Sequence, residues 1–147
     1  MREIKGLSFV IAAAVFFGCS SVGGISTAGD NIYIKVGQNI LDDAAKLEEL
    51  KDRRTVETMH RYIVHRFKKL HVRPTLKFDI TLVALRLRTS SYSGGADRLG
   101  VDVIVTENGN VLKSFRSNIT TTRSRSRAVE RMSKGLAKRI YSEIEGL

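Results

Sequence analysis

The sequence predicts an α+β fold with the order β-α-β-β-β-α: a four-stranded, largely antiparallel sheet with two helices packed on one face. Three patterns predict it. Two segments repeat apolar residues at helical spacing, four segments carry apolar residues at strand spacing, and an Asn-Gly pair separates the last two strands.

Residues 31–36 (NIYIKV) alternate Ile32, Ile34 and Val36 against Tyr33 and Lys35, the period of a strand with one buried face. In residues 37–52, Leu41, Ala44, Ala45 and Leu47 suit either a short helix or a structured loop. The clearest helix spans 55–70. Val56, Met59, Ile63, Phe67 and Leu70 recur three or four residues apart and so share one face. Asp52 or Thr55 is placed to cap its start. Arg61, His65 and Lys68 lie away from the stripe, and Arg73-Pro74 closes the segment, because proline disfavours helix in the residue before it.

Residues 75–88 (TLKFDITLVALRLR) read as a long strand, with Leu76, Phe78, Ile80, Leu82 and Ala84 on one side. The other side begins polar and turns apolar at Val83, Leu85 and Leu87. These three form either a contact patch on the second sheet face or a core surface covered by a neighbouring loop. A polar connection over 89–98 leads to Leu99, Val101, Val103 and Val105, which alternate with Gly100, Asp102, Ile104 and Thr106. Asn108-Gly109 marks a two-residue hairpin turn, since both residues tolerate positive φ. Val111, Phe115 and Ile119 continue the last strand. A second amphipathic helix closes the chain at about 126–145, with Val129, Met132, Leu136, Ile140 and Ile144 on one face. The last three strands then form an antiparallel meander, with one sheet face under the helices and the other open or facing a partner.

The 147 residues, 42% apolar with a single proline, suit one domain. The net charge of +10 draws in anionic partners: nucleic acid, anionic lipid, lipopolysaccharide or acidic protein. Cys19 is the sole cysteine, so no internal disulfide can form.

The N-terminus narrows the compartment. Arg2 and Lys5 precede an uncharged apolar run at 7–18 (LSFVIAAAVFFG), and small residues follow. This is the order of a signal peptide, and the run is shorter than the about 20 residues that span a bilayer. The Gly18-Cys19 junction resembles the lipobox of bacterial lipoproteins, with Phe16 and Phe17 standing where leucine and a small residue are usual. The resemblance implies diacylglycerol on the Cys19 thiol and cleavage before it. Several acyl chains anchor a protein durably where one binds only marginally. In Gram-negative lipoproteins Asp after the cysteine commonly retains the protein at the inner membrane, and Ser20 in that place implies the outer membrane, periplasmic side. The expected organisation is a signal peptide at 1–18, a Ser/Gly-rich flexible tether at 19–30, and one α+β domain at 31–147.

The residues give little support to enzymology. His60, His65 and His71 do not pair at the spacing that puts two imidazoles together on a helix. No G-x-S-x-G occurs. Gly94-Gly95 opens no helix in a phosphate-loop pattern. No catalytic residue, metal ligand or cofactor is expected. The basic segment says more. Arg123, Arg125 and Arg127 lead into a helix bearing Arg131, Lys134 and Lys138, and the first helix adds Arg61, Arg66, Lys68 and Lys69. These charges are either a solvated face or an anion-docking surface. Beside an anionic membrane each contributes about 1 kcal/mol. RNA binding on the sheet needs exposed aromatics, and Phe78 and Phe115 fall on core-directed sides, so nucleic acid is not an expected partner.

The Cys19 leader, the Asn108-Gly109 hairpin and the tail AVERMSKGLAKRIYSEI (128–144) together resemble small envelope lipoproteins of Gram-negative bacteria, above all the lipopolysaccharide-assembly LptE family. Where that family commonly runs Gly-Phe after the cysteine, this chain runs Ser-Ser-Val. The resemblance implies a non-enzymatic, lipid-anchored accessory protein that binds an outer-membrane assembly or transport component. The alternative is a carrier or sensor of anionic lipid or lipopolysaccharide that uses the basic C-terminal helix.

Overall fold

The structure, a computed structural model, describes residues 27–29, 31–88 and 94–147; the expected signal peptide and Cys19 lie outside the described residues. The elements are β1 (Thr27–Gly29), β2 (Ile32–Val36), α1 (Gln38–Leu41), α2 (Ala44–Asp52), α3 (Thr55–Lys69), β3 (Leu76–Arg86), β4 (Asp97–Glu107), β5 (Asn110–Thr121), a 3-10 turn (Arg125–Arg127) and α4 (Ala128–Ile144). The fold is α+β. A four-stranded mixed sheet, mostly antiparallel, is flanked by helices, and the short β1 adds to one edge in the order β1-β2-β3-β4-β5. β1 falls within the segment expected as tether. It pairs antiparallel with β2, and Asn31, at φ 63°, lies in the turn between them.

Strands β2 and β3 are parallel, because three helices intervene and return the chain to the same end of the sheet. The ambiguous stretch 37–52 resolves into α1 and α2. Asp43 caps α2 by accepting from the Lys46 N–H at 3.2 Å. Neither residue proposed to cap α3 does so: its N-cap is Arg54, in the left-handed region at φ 49°, with no side-chain cap. The chain reverses there directly out of α2, so Thr55 is already the first helical residue and is itself buried. At the other end His71 takes φ 54°, and the Val72 N–H donates to the Phe67 carbonyl at 3.0 Å. This left-handed stop satisfies a terminal carbonyl before Pro74 is reached.

Strands β3, β4 and β5 form the expected meander. Asn108 and Gly109 carry φ 52° and 81°, the paired positive values a tight hairpin needs. The cross-strand rows Ile34–Ile80–Val103–Phe115 and Ile32–Phe78–Val105 face the helices. Against them pack Met59, Ile63 and Phe67 of α3 and Met132, Leu136 and Ile140 of α4. Phe67 and Phe78 meet ring to ring at 4.8 Å. The two long helices also pack on each other.

The sequence places Ala84 on the core side of β3 and Val83, Leu85 and Leu87 on the other. The structure reverses this beyond Leu82. Leu82 pairs with Val101 but Ala84 pairs with Gly100, so Val83 is an extra, bulged residue. Leu85 and Leu87 therefore turn inward, 3% and 7% exposed, and Ala84 turns out. On the β2 side the entry into α1 extends the pairing past this point: the Gly37 N–H donates to Leu82 O at 2.8 Å, and Asn39 Nδ2 donates to Val83 O at 2.7 Å. A second bulge, at Leu112, turns Lys113 toward α4.

One buried ion pair fixes the approach to α4. Asp97 is fully buried and accepts from Arg88 N, Nε and Nη2 at 2.6, 3.1 and 2.9 Å. The same Nη2 donates to the Arg123 carbonyl at 2.7 Å. The end of β3, the start of β4 and the lead-in to α4 are thus held at one corner.

Candidate functional site

The six basic residues singled out from the sequence do not form one cluster. Arg123 is exposed and tied through its backbone. Arg125 lies in the 3-10 turn, and its side chain is outside the described set. Arg127, Arg131, Lys134 and Lys138 are spaced four, three and four residues apart, so they form a stripe along α4; Arg131 is half-buried and the others are exposed. Of the six, Lys134 lines a groove between the two long helices.

Tyr62, His65, Arg66 and Lys69 of α3 and Lys134 and Ala137 of α4 line that groove, which encloses about 410 Å³. The i, i+4 steps from Tyr62 to Arg66 and from His65 to Lys69 put these side chains on one flank of α3, and the packing of α4 supplies the opposite wall. The Tyr62 ring is shared: Lys134 Nζ and Arg61 Cζ each lie 5.2 Å from its centroid, within cation–π range. Glu130 sits at the rim and accepts from Lys134 Nζ at 3.0 Å. That hydrogen bond, with a second from Tyr62, holds the Glu130 carboxyl below its usual range. Arg66 Nε is buried and donates to no acceptor among the described residues. The sequence shows the charges of both helices, but not which of them converge. Tyr62 was missed; its position four residues before Arg66 was the available signal.

The two long helices leave the opposite sheet face uncovered. Here Arg116 grips Asp102 with two bonds, at 2.6 and 2.9 Å, across β4 and β5. The hydrogen bond from Arg116 holds the Asp102 carboxyl below its usual range, and Asp102 in turn raises Arg116. Ile104, Val111 and Leu112 are exposed large apolar side chains toward the hairpin end. At the other end Arg86 and Arg98 are directly opposed across β3 and β4, and with Lys46 and Thr120 they border a cleft of about 370 Å³. Arg98 donates to Asn118 Oδ1 at 3.2 Å. A Cβ at Gly100 would lie 2.6 Å from Asn118 Oδ1 and would push that side chain off Arg98.

Phe78 is buried and Phe115 packs against the core, so neither offers a ring for stacking. Among the described residues no three His, Cys, Asp or Glu side chains gather as a metal site, and no helix is long and apolar enough to cross a membrane.

No family model and no curated protein matches the chain. Among solved structures it is similar to a candidate lipoprotein from Caulobacter crescentus CB15, with 12% identity, a TM-score of 0.45, and coverage of 78% of this chain and 87% of that one. It is also similar to a Xanthomonas campestris protein of family DUF330, with 13% identity, a TM-score of 0.44, and coverage of 62% and 58%. A third likeness is to PelC from Paraburkholderia phytofirmans, solved as a dodecamer, with 14% identity, a TM-score of 0.39, and coverage of 74% and 80%. The LptE family is not among these three.

Proposed function

We propose that this chain is a non-enzymatic accessory lipoprotein of the bacterial cell envelope. It is anchored through Cys19 on the periplasmic side of the outer membrane and binds an assembly or transport component there. The observation that carries the reading is a signal-like leader whose apolar run stops at Gly18-Cys19, joined to a basic domain. The geometry adds support. Helices cover one side of the sheet, and the other presents Ile104, Val111 and Leu112 beside a charged Arg116–Asp102 pair. A polar surface with a small apolar patch at one end suits a protein partner better than bulk solvent.

Two measurements test this. Mass spectrometry of the mature N-terminus is expected to show an acylated peptide beginning at Cys19; an intact Met1 refutes the anchor. A pull-down from detergent-solubilised membranes is expected to recover an envelope protein in stoichiometric amount, and Ile104→Glu with Val111→Glu is expected to release it. Recovery unaffected by these changes removes the open face from the interface.

The alternative reading, a carrier or sensor of anionic lipid, is favoured by the groove between α3 and α4, which cations of both helices line and where Arg66 keeps a buried Nε without an acceptor among the described residues.

A further inference from the structure

We infer that the groove between α3 and α4 is a phosphate-binding site, formed by Arg66, Lys69 and Lys134 against the wall of Tyr62. The inference deepens the alternative reading of the basic helices and does not depend on the Cys19 anchor.

Four observations lead to it. First, the three cations come from two helices and line one cavity, whereas a solvated charge run spreads along a single helix. Among the described residues the carboxylate paired with these cations is Glu130, which accepts from Lys134 and not from Arg66 or Lys69. Three positive charges against one negative leave the groove electropositive, and like charges held close are unfavourable until an anion enters. Second, Arg66 Nε is buried without an acceptor among the described residues. A buried unsatisfied donor is costly, and a guanidinium Nε–H beside its Nη–H groups matches two oxygens of a phosphate. Third, Tyr62 holds Lys134 over its ring, which keeps the ammonium at the groove instead of free in solvent. Fourth, about 410 Å³ lies within the range of small-ligand pockets, so the site suits a phosphate carried on a larger group, such as a sugar or glycerol headgroup.

The chemistry favours a phosphate monoester over a diester. A monoester offers three terminal oxygens and up to two negative charges at neutral pH, which answer the fork of Arg66 and the two ammonium groups together. A diester offers two such oxygens and one charge. Arg86 and Arg98 on the open sheet face provide an internal comparison. They are also close and cationic, but exposed, with no buried donor between them.

The test is calorimetric titration of the full chain in neutral detergent. The probes are glucose 1-phosphate as a soluble monoester, and micellar phosphatidic acid and phosphatidylglycerol as lipid-borne monoester and diester. Phosphatidic acid is expected to bind at least tenfold more tightly than phosphatidylglycerol. Arg66→Gln and Lys69→Gln are each expected to weaken it at least fivefold, and Arg98→Gln less than twofold. Lys69 is exposed, so its variant keeps the test valid should Arg66→Gln misfold. Binding of glucose 1-phosphate with the same variant pattern assigns the site to free phosphorylated metabolites as well; binding of the lipid alone assigns it to headgroups. Equal affinity for the two lipids, or equal loss in Arg66→Gln, Lys69→Gln and Arg98→Gln, overturns the proposal. That result would reduce the groove to general charge and leave the anchor and the protein partner untouched.

Discussion

Replacing Arg88 with Met should destabilise the domain far more than loss of any surface ion pair. Asp97 is 0% exposed and receives three hydrogen bonds from Arg88, one from its backbone and two from its guanidinium. The substitution keeps the backbone bond and removes the other two, leaving a carboxylate in the interior with no counter-charge. Breaking a buried pair from one side costs about 3–5 kcal/mol. Because one donor stays, the expected loss is near the lower end, about 3 kcal/mol. The Arg123 carbonyl also loses its donor, so the lead-in to α4 should loosen. For a domain of this size about 3 kcal/mol corresponds to a fall in Tm of roughly 9–15 °C. Urea unfolding followed by far-ultraviolet circular dichroism measures the change. The double variant Arg88→Met with Asp97→Asn removes the stranded charge and should recover at least about 1 kcal/mol of the loss. A single-variant loss under about 1 kcal/mol, the level of an exposed pair, refutes the account of this corner.

Three further outcomes are expected. Deleting Val83 removes the bulge but keeps Ala84, Leu85 and Leu87 in their present register and orientation; the Asn39 bond to the Val83 carbonyl and the local bend are lost, so urea unfolding should stay cooperative at a cost of about 0.5–1.5 kcal/mol, and a collapse of the midpoint refutes the bulge assignment. Gly100→Ala places a methyl 2.6 Å from Asn118 Oδ1 and 3.0 Å from the Ala84 Cβ, and should cost about 1–3 kcal/mol in urea unfolding, with Asn118→Ala restoring part of it. The Asp102 carboxyl titrates below its ordinary value near 3.8 because of the Arg116 hydrogen bond. Its contribution is therefore complete above that value and fades as pH falls through the lower folded one, so the difference in urea midpoint between the parent and Arg116→Gln should shrink on acidification and also in high salt. A difference that stays constant from neutral pH to about pH 2 excludes this pair as its source.

The long elements were legible because each repeats its signal. Five apolar residues at helical spacing define α3, five more define α4, and Asn108-Gly109 can hardly be anything but a turn between alternating strands. What sequence missed is what a single residue decides. The bulge at Val83 leaves no local mark, since Val83, Leu85 and Leu87 are equally apolar whichever way they face; only pairing with β4 and the hydrogen bonds from Gly37 and Asn39 choose the register. β1 has three residues in a Ser/Gly-rich stretch and owes its strand form to β2. The start of α3 was misread because the tight exit from α2 sets Arg54 in the left-handed region, and tertiary packing overrides the preference for a side-chain cap. The basic surface was half legible. Helical spacing predicts the stripe from Arg127 to Lys138, but the packing of α3 and α4 decides that Lys134 lines the same groove as Arg66 and Lys69 while Lys138 does not.

The sheet has unequal rims. On one, β1 gives a stray strand three residues to pair with; on the other, β5 runs for twelve. A foreign β-segment would thus find its longest template along β5, and intermolecular pairing of damaged copies should begin there. The Leu112 kink and the cationic Lys113 and Arg116 stand along that margin as gatekeepers. Charge on this strand then protects the protein from its own kind, whatever else it binds.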